Sequence, residues 1–194
     1  MKEHKFPFNS FIGGWYIDKK ICDNIIDAFK KHEHMAVAGS TAMGIDLKKK
    51  DSKDVGVCYD NFSEPFGEYR TNLQNCLLKY GEKYKYANEM DSFNIMTNYN
   101  IQYYKPGGGF KQWHFENGKV YHRHRVLAFM TYLNDVEDGG TEFFYQKIKS
   151  PAKKGLTIIW PAYFTHTHKG QISKTKEKFI ATGWYSYMGL DNYE

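Results

Sequence analysis

Residues 125–146 read "RVLAFMTYLNDVEDGGTEFFYQ". Two runs of aliphatic, β-branched and aromatic side chains are parted by an acidic segment that ends in paired glycines, which is the composition of two strands and their connection. The same pattern extends on both sides. "SFNIMTNYNIQYY" (92–104) comes before, and "KGLTIIWPA" (154–162) and "EKFIATGWYSY" (177–187) come after, separated by "KPGGG" and "SPAKKG". Many short strands at this spacing predict a double-sheet jelly roll or barrel.

The first half of the chain is different. Residues 19–33, "KKICDNIIDAFKKHE", place Ile21, Cys22, Ile25, Ile26 and Phe29 on one helical face, with Asp18 as N-cap. A second helix is expected from about 65 to 86, its buried stripe made of Phe66, Tyr69, Leu73, Cys76, Leu77, Tyr80 and Tyr84. "AGSTAMGIDLKKKDSKDVGV" (38–57) has no clear period and reads as a long mobile loop, with Gly39–Asp54 as its lid-like part. The expected class is therefore α+β, mostly β: a double-stranded β-helix (jelly roll) with N-terminal helices packed on one sheet. It forms one domain over 1–194, with helical support over about 18–88 and a core over about 92–188.

Composition narrows the function. Hydrophobic residues make up 41% and aromatics 18%, which describes a folded protein. The net charge of +5 is lysine-borne and dispersed, with arginine only at Arg70, Arg123 and Arg125, so nucleic acid is a poor partner. No stretch has the length and apolarity of a membrane span, and "MKEHKFPFNSFIGG" is not a signal peptide. Cys22, Cys58 and Cys76 are odd in number and unpaired in spacing, which suits a reducing cytoplasm.

Chemistry concentrates in "QWHFEN" (112–117). In an extended segment residues i and i+2 share a face, so His114 and Glu116 converge. "WPAYFTHTHKG" (160–170) offers a third ligand, His166 or His168. Two histidines and one carboxylate leave open positions on a metal and suit non-haem Fe(II) with oxygen. Structural zinc would close its site with a fourth protein ligand, often a cysteine, and none is near in sequence.

The order "YYKPGGGFKQWHFE", "RVLAFMTYLNDVEDGGTEF", "PAKKGLTIIWP", "HTHKG…KEKFIATGW" resembles the 2-oxoglutarate/Fe(II) dioxygenases, in their prolyl 4-hydroxylase-like branch, across about residues 94–187. That family runs from a tyrosine and glycine turn to H-x-D, then R…YLN…GG-T-F, P-x-x-G and a distal histidine. A basic residue about ten positions later opens a strand ending in tryptophan. Lys178 stands ten positions after His168, so the resemblance implies His114, Glu116 and His168 as metal ligands, with His166 the second choice. It also implies that Lys178 holds the distal carboxylate of 2-oxoglutarate, a counter-charge that an ammonium on an apolar strand needs. By position, Tyr132 shares that carboxylate, Tyr104 faces the cosubstrate, Thr182 lines the pocket and Trp184 walls it; core packing is the competing reading for all four. Arg125, at the family's arginine position, reads as structural.

Two departures stand out. Glu116 replaces the family's usual aspartate and moves the carboxylate by about 1.5 Å, roughly one C–C bond. Lysine at 178, a point charge rather than a fork, resembles the collagen-type prolyl hydroxylases more than the oxygen-sensing ones. The retained carboxylate favours hydroxylation over halogenation. The resemblance thus implies Fe(II), 2-oxoglutarate and O2, with ascorbate as an accompanying reductant, and succinate and CO2 as coproducts. The expected substrate is a prolyl or other peptidyl side chain, contacted by the rim residues His122, Arg123 and His124. Hydroxylation of a free amino acid or other small molecule is the alternative. A non-catalytic jelly-roll domain that retains a metal is the reading from another class, and a nucleic-acid demethylase is the weakest.

Overall fold

The computed structural model describes residues 1–41 and 43–189. Nine strands form one antiparallel sheet, in the order Lys2–Glu3, Gly13–Tyr16, Leu156–Pro161, Arg125–Tyr132, Lys178–Tyr187, Tyr99–Tyr104, Lys53–Val57 and Val37–Ala38, with Phe93–Asn94 pairing beyond the end of Tyr99–Tyr104 onto Lys178–Tyr187. A smaller antiparallel sheet of Ile148–Lys149, Thr141–Phe143 and His168–Gly170 lies over one face. The "EDGG" connection needs its glycines: a Cβ on Gly140 would overlap the Ser150 carbonyl oxygen.

Both faces of the large sheet are covered, which is why its central strands are apolar almost throughout rather than alternating. Leu127, Phe129, Phe179, Ala181 and Tyr185 face two helices, α1 (Lys19–Lys31) and α2 (Phe66–Lys83). Ala128, Tyr132, Ile158, Trp160 and Ile180 face the small sheet, together with Phe143 from that sheet. Asp18 caps α1 by accepting from the Lys20 amide at 2.8 Å, and Ile21, Cys22, Ile25 and Phe29 are buried as the period predicts, while Ile26 is only partly buried against the same core. In α2 the buried residues are Tyr69, Leu73, Cys76, Tyr80 and Gly81; Phe66 and Leu77 pack partly buried, and Tyr84 ends the helix earlier than expected, at a 3-10 turn over Lys85–Glu89.

The stretch 38–57 corrects the loop reading. Lys53–Val57 is a strand of the main sheet, running from Lys53 opposite Tyr103 to Val57 opposite Tyr99, and Val57 joins the core. Short ladders at Ser40–Thr41 with Gly44–Ile45, and at Lys50–Asp51 with Gly109–Phe110, tie down the remainder. Its many lysines hid this: Lys50 is buried, paired with Asp54, rather than solvated. The Gly13–Tyr16 strand, too short to carry a period, went unread. Among the described residues no helix is long and apolar enough to cross a membrane.

Candidate metal centre and adjoining cavity

His114 and His168 sit directly opposite one another as an antiparallel pair whose backbones exchange both hydrogen bonds, at 3.0 and 2.9 Å. That pairing joins the "QWHFEN" segment to the small sheet and brings the two imidazoles to 4.4 Å between ring centroids. The Glu116 amide donates to the Ala162 carbonyl, which fixes its side chain beside them. One ligand atom from each of the three residues lies within 4.8 Å of the other two.

The ring nitrogens are already sorted. Nδ1 of His114 donates to the Gln112 carbonyl at 2.9 Å, and Nδ1 of His168 to the His166 carbonyl at 2.8 Å. A carbonyl can only accept, so both Nε2 atoms present lone pairs. Burial, reinforced by His168, holds His114 down at about 4, so its ring is neutral at physiological pH. Glu116 Oε1 stands 3.3 Å from Nε2 of His168 and 3.7 Å from Nε2 of His114. Its other oxygen, Oε2, accepts from Trp184 Nε1 at 2.7 Å. Burial alone would raise the Glu116 carboxyl, but its contacts with His168 and His114 and the hydrogen bond from Trp184 outweigh that and hold it well below the usual carboxylate range. Three acceptors therefore meet at one point, the arrangement that a bound cation resolves. The donor set of two neutral imidazoles and one carboxylate fits Fe(II).

The longer glutamate side chain is braced from behind. Arg125 donates from Nη1 to the Glu116 carbonyl at 3.1 Å and lies 3.8 Å from Oε2, with its guanidinium 3.5 Å above the Trp184 ring. Arg125 thus acts on Glu116 through packing and charge.

A cavity of about 490 Å³ opens from the centre. Alternate residues of two neighbouring strands form its wall: Asn100, Gln102 and Tyr104 on one, Lys178, Ile180, Thr182 and Trp184 on the other. Lys178 is 5% exposed, and burial pulls its pKa down to about 8. Its Nζ donates to the carbonyls of Gly139 and Gln171 at 2.9 and 3.0 Å. Among the described residues no carboxylate lies within ion-pair distance of it, so this cation lacks an anion that only a ligand can bring.

Most of the residues expected at the site converge there. His114, Glu116, His168, Lys178, Tyr104, Thr182, Trp184 and His122 line the cavity; Arg123, His124 and Tyr132 do not. Tyr132 lies behind the wall, its hydroxyl bonded to Thr141 Oγ1 and Ser150 Oγ at 2.6 and 2.7 Å, and Thr141 takes the place at the surface. Tyr104, protonated because burial and then the Asp54 charge push its phenol well up, donates to Gln102 Oε1 at 2.6 Å. His166 is turned away: its Nε2 meets the Ser10 carbonyl at 2.9 Å and its Nδ1 meets Thr165 Oγ1 at 3.0 Å. A 3-10 turn over Phe164–His166, rather than a strand, separates the two histidines' directions. Sequence reasoning missed Thr141, Met130, Gln102, Lys50 and Asp54, which also line the cavity. The "GG-T" motif could have flagged Thr141; nothing local flagged the buried Lys50–Asp54 pair.

Residues 99–186 match the model of the 2OG-Fe(II) oxygenase superfamily. Among solved structures the chain is similar to a prolyl-4-hydroxylase from Pseudomonas putida (12% identity, TM-score 0.68, covering 92% of this chain and 93% of that one). It is also similar to the viral collagen prolyl hydroxylase of Paramecium Bursaria Chlorella virus-1, solved with 2OG (20% identity, TM-score 0.69, 92% and 97% covered). A third is a prolyl hydroxylase from Trichoplax adhaerens in complex with a hypoxia inducible factor peptide fragment (13% identity, TM-score 0.67, 89% and 83% covered). No curated protein sequence matches significantly. At these identities the structural likeness establishes the jelly-roll fold.

Proposed function

Because residues 99–186 match the 2OG-Fe(II) oxygenase superfamily model, we propose that the chain is an Fe(II)- and 2-oxoglutarate-dependent dioxygenase that hydroxylates a prolyl or other peptidyl side chain. One observation carries the reading: a His–Glu–His cluster of converging lone pairs and a buried, anion-free Lys178 line the same cavity. His114, Glu116 and His168 would hold the iron, which with 2-oxoglutarate and O2 supplies the oxidising chemistry and yields succinate and CO2.

The chain's own residues bind, orient and exclude water. Lys178 would take the distal carboxylate of the cosubstrate, with the Thr141 hydroxyl and the Tyr104 phenol as polar neighbours. Trp184 and Arg125 hold Glu116 Oε2, which leaves Oε1 for the metal. The carbonyls of Gln112 and His166 keep both imidazoles in the ligating tautomer. Ile180, Met130 and Trp160 supply the apolar surface beside the centre. The peptide reading draws support from the neighbours, which are prolyl hydroxylases, one of them solved with a peptide. Val37 and Met43 on one lip of the cavity, and Phe115, Tyr121 and His122 on the other, would meet the substrate. Cys22 and Cys76, buried as free thiols, and exposed Cys58 fit a reducing compartment such as the cytoplasm.

Turnover of 2-oxoglutarate to succinate, assayed with Fe(II) and ascorbate against proline-containing peptides and against free amino acids, tests this. The expected result is peptide-stimulated succinate and a peptide product heavier by one oxygen, both abolished in His114→Ala. Succinate formation that survives His114→Ala would discard the site. Stimulation by free amino acids alone would move the substrate class to small molecules, and ligand binding without succinate would leave a binding domain.

A further inference from the structure

Phe110 also lines the cavity, and among the described residues it makes the closest ring contact. Its ring lies flat on the His114 imidazole, 3.6 Å between centroids at an interplanar angle of 12°. Other aromatic pairs in the chain are tilted or edge-on at 4.3 Å or more, apart from the exposed His32–His34 stack at 6.4 Å. The contact is also held from outside. Phe110 pairs in register with Lys50, the Lys111 amide donates to the Lys49 carbonyl at 2.7 Å, and Lys50 is anchored by Asp54 at 2.7 Å. The Lys50 ammonium also lies over the Phe110 ring, 5.7 Å from its centroid.

A parallel stack on a neutral imidazole gains little from ring quadrupoles, which favour offset or edge-on arrangements. Metal ligation changes that. It draws electron density from the imidazole and makes the ring partly cationic, so the electron-rich face of a phenyl attracts it more strongly. A contact that is stronger in the loaded state than in the free one raises metal affinity by that difference. Stacking also fixes the rotation of the His114 ring, which its Nδ1 hydrogen bond to Gln112 alone leaves free to rock.

Resting on the Fe(II) reading of the same site, we propose that Phe110 is a positioning residue for the metal: its ring sets the plane of the His114 imidazole and tightens the site for a divalent cation. Its test is metal binding to the whole chain, with Co(II) titrated against a competing chelator. Phe110→Leu, which keeps apolar bulk but no flat face, is expected to bind Co(II) about ten-fold more weakly, the size of effect typical for partners of metal ligands. Its Co(II) absorption bands shift, and its melting temperature without metal stays close to wild type. Phe110→Tyr restores both affinity and bands. Should Phe110→Leu melt lower without metal, the metal-induced rise in each variant's own Tm carries the comparison, and a smaller rise than wild type supports the proposal. Equal affinity and unchanged bands in Phe110→Leu would overturn it, as would a Phe110→Tyr variant as weak as leucine. Wild-type protein that binds no Co(II) would instead overturn the metal centre itself.

Discussion

Lys178 shows most sharply what a single residue contributes. Its folded-state pKa of about 8 against an ordinary 10.5 means that the charged form is penalised by burial. Below about pH 8 the side chain is protonated in both folded and unfolded chains, and the penalty is fully present. Between 8 and 10.5 the unfolded state binds more protons, so stability rises with pH, by up to about 3 kcal/mol. Ligand-free protein should therefore gain stability across that window relative to Lys178→Met, measured by denaturant unfolding at a series of pH values. Saturating 2-oxoglutarate, by raising the folded pKa, should flatten the difference; an identical pH profile for wild type and Lys178→Met would refute the assignment. Trp184 offers a second test. Phenylalanine there removes the donor to Glu116 Oε2, and metal affinity is expected to drop on the order of ten-fold with little change in apo stability. At this scale the sequence was legible wherever a spacing encoded a direction, as with His114 and Glu116 two apart. It was ambiguous between His166 and His168, because the turn that aims them oppositely leaves no mark in "FTHTH".

Among the elements, the segment 37–57 decides how the cavity is walled. Val37, Ser40, Thr41, Met43, Lys50 and Asp54 all line it, yet Lys53–Val57 is an integral strand of the main sheet. The junction between the two roles is the buried Lys50–Asp54 pair, with Asp54 also accepting from Ser52 at 2.7 Å and from Gln102 at 3.1 Å. Removing one member strands the other's charge: Lys50→Met is expected to cost about 3 kcal/mol, while Lys50→Met with Asp54→Asn recovers most of it. Thermal or urea unfolding of the two variants decides this, and equal losses would show that the pair is not coupled. The helices and the strands at 99–104, 125–132, 156–161 and 178–187 were readable because burial on both faces or on one stripe imposes a period. The 37–57 stretch was not, since its lysines count as solvent-facing in any composition and only the fold shows one of them inside.

The whole molecule sets what the matched segment can do alone. The superfamily match spans 99–186, but the strands within it hold most of only one of the two core clusters, the one under the small sheet. Their outward face, Tyr99, Ile101, Leu127, Phe129, Phe179 and Tyr185, is buried only because α1 and α2 lie on it, through Ile21, Ile25, Phe29, Tyr69, Leu73 and Tyr80. Tyr69 and Tyr185 stitch the layers further, the first donating to Thr131 Oγ1 at 2.9 Å and the second to the Leu73 carbonyl at 3.2 Å. Gly13–Tyr16 and Lys53–Val57 then cover the two edges of the strands within the match. A fragment of residues 99–186 would expose that apolar face and both edges together, conditions that favour aggregation over folding. The expected outcome is a fragment without a cooperative thermal transition and without metal binding, whereas the full chain melts in one step. A variant such as Leu73→Ala, far from the His114–Glu116–His168 cluster but 1% exposed, should lower the single transition by about 2–4 kcal/mol and carry the proposed metal site down with it. Two resolved transitions, or a fragment that binds Co(II), would mean that the helical layer is a separable support. A single transition is what the shared sheet requires, because the strands that meet the helices on one face carry the small sheet with His168 on the other.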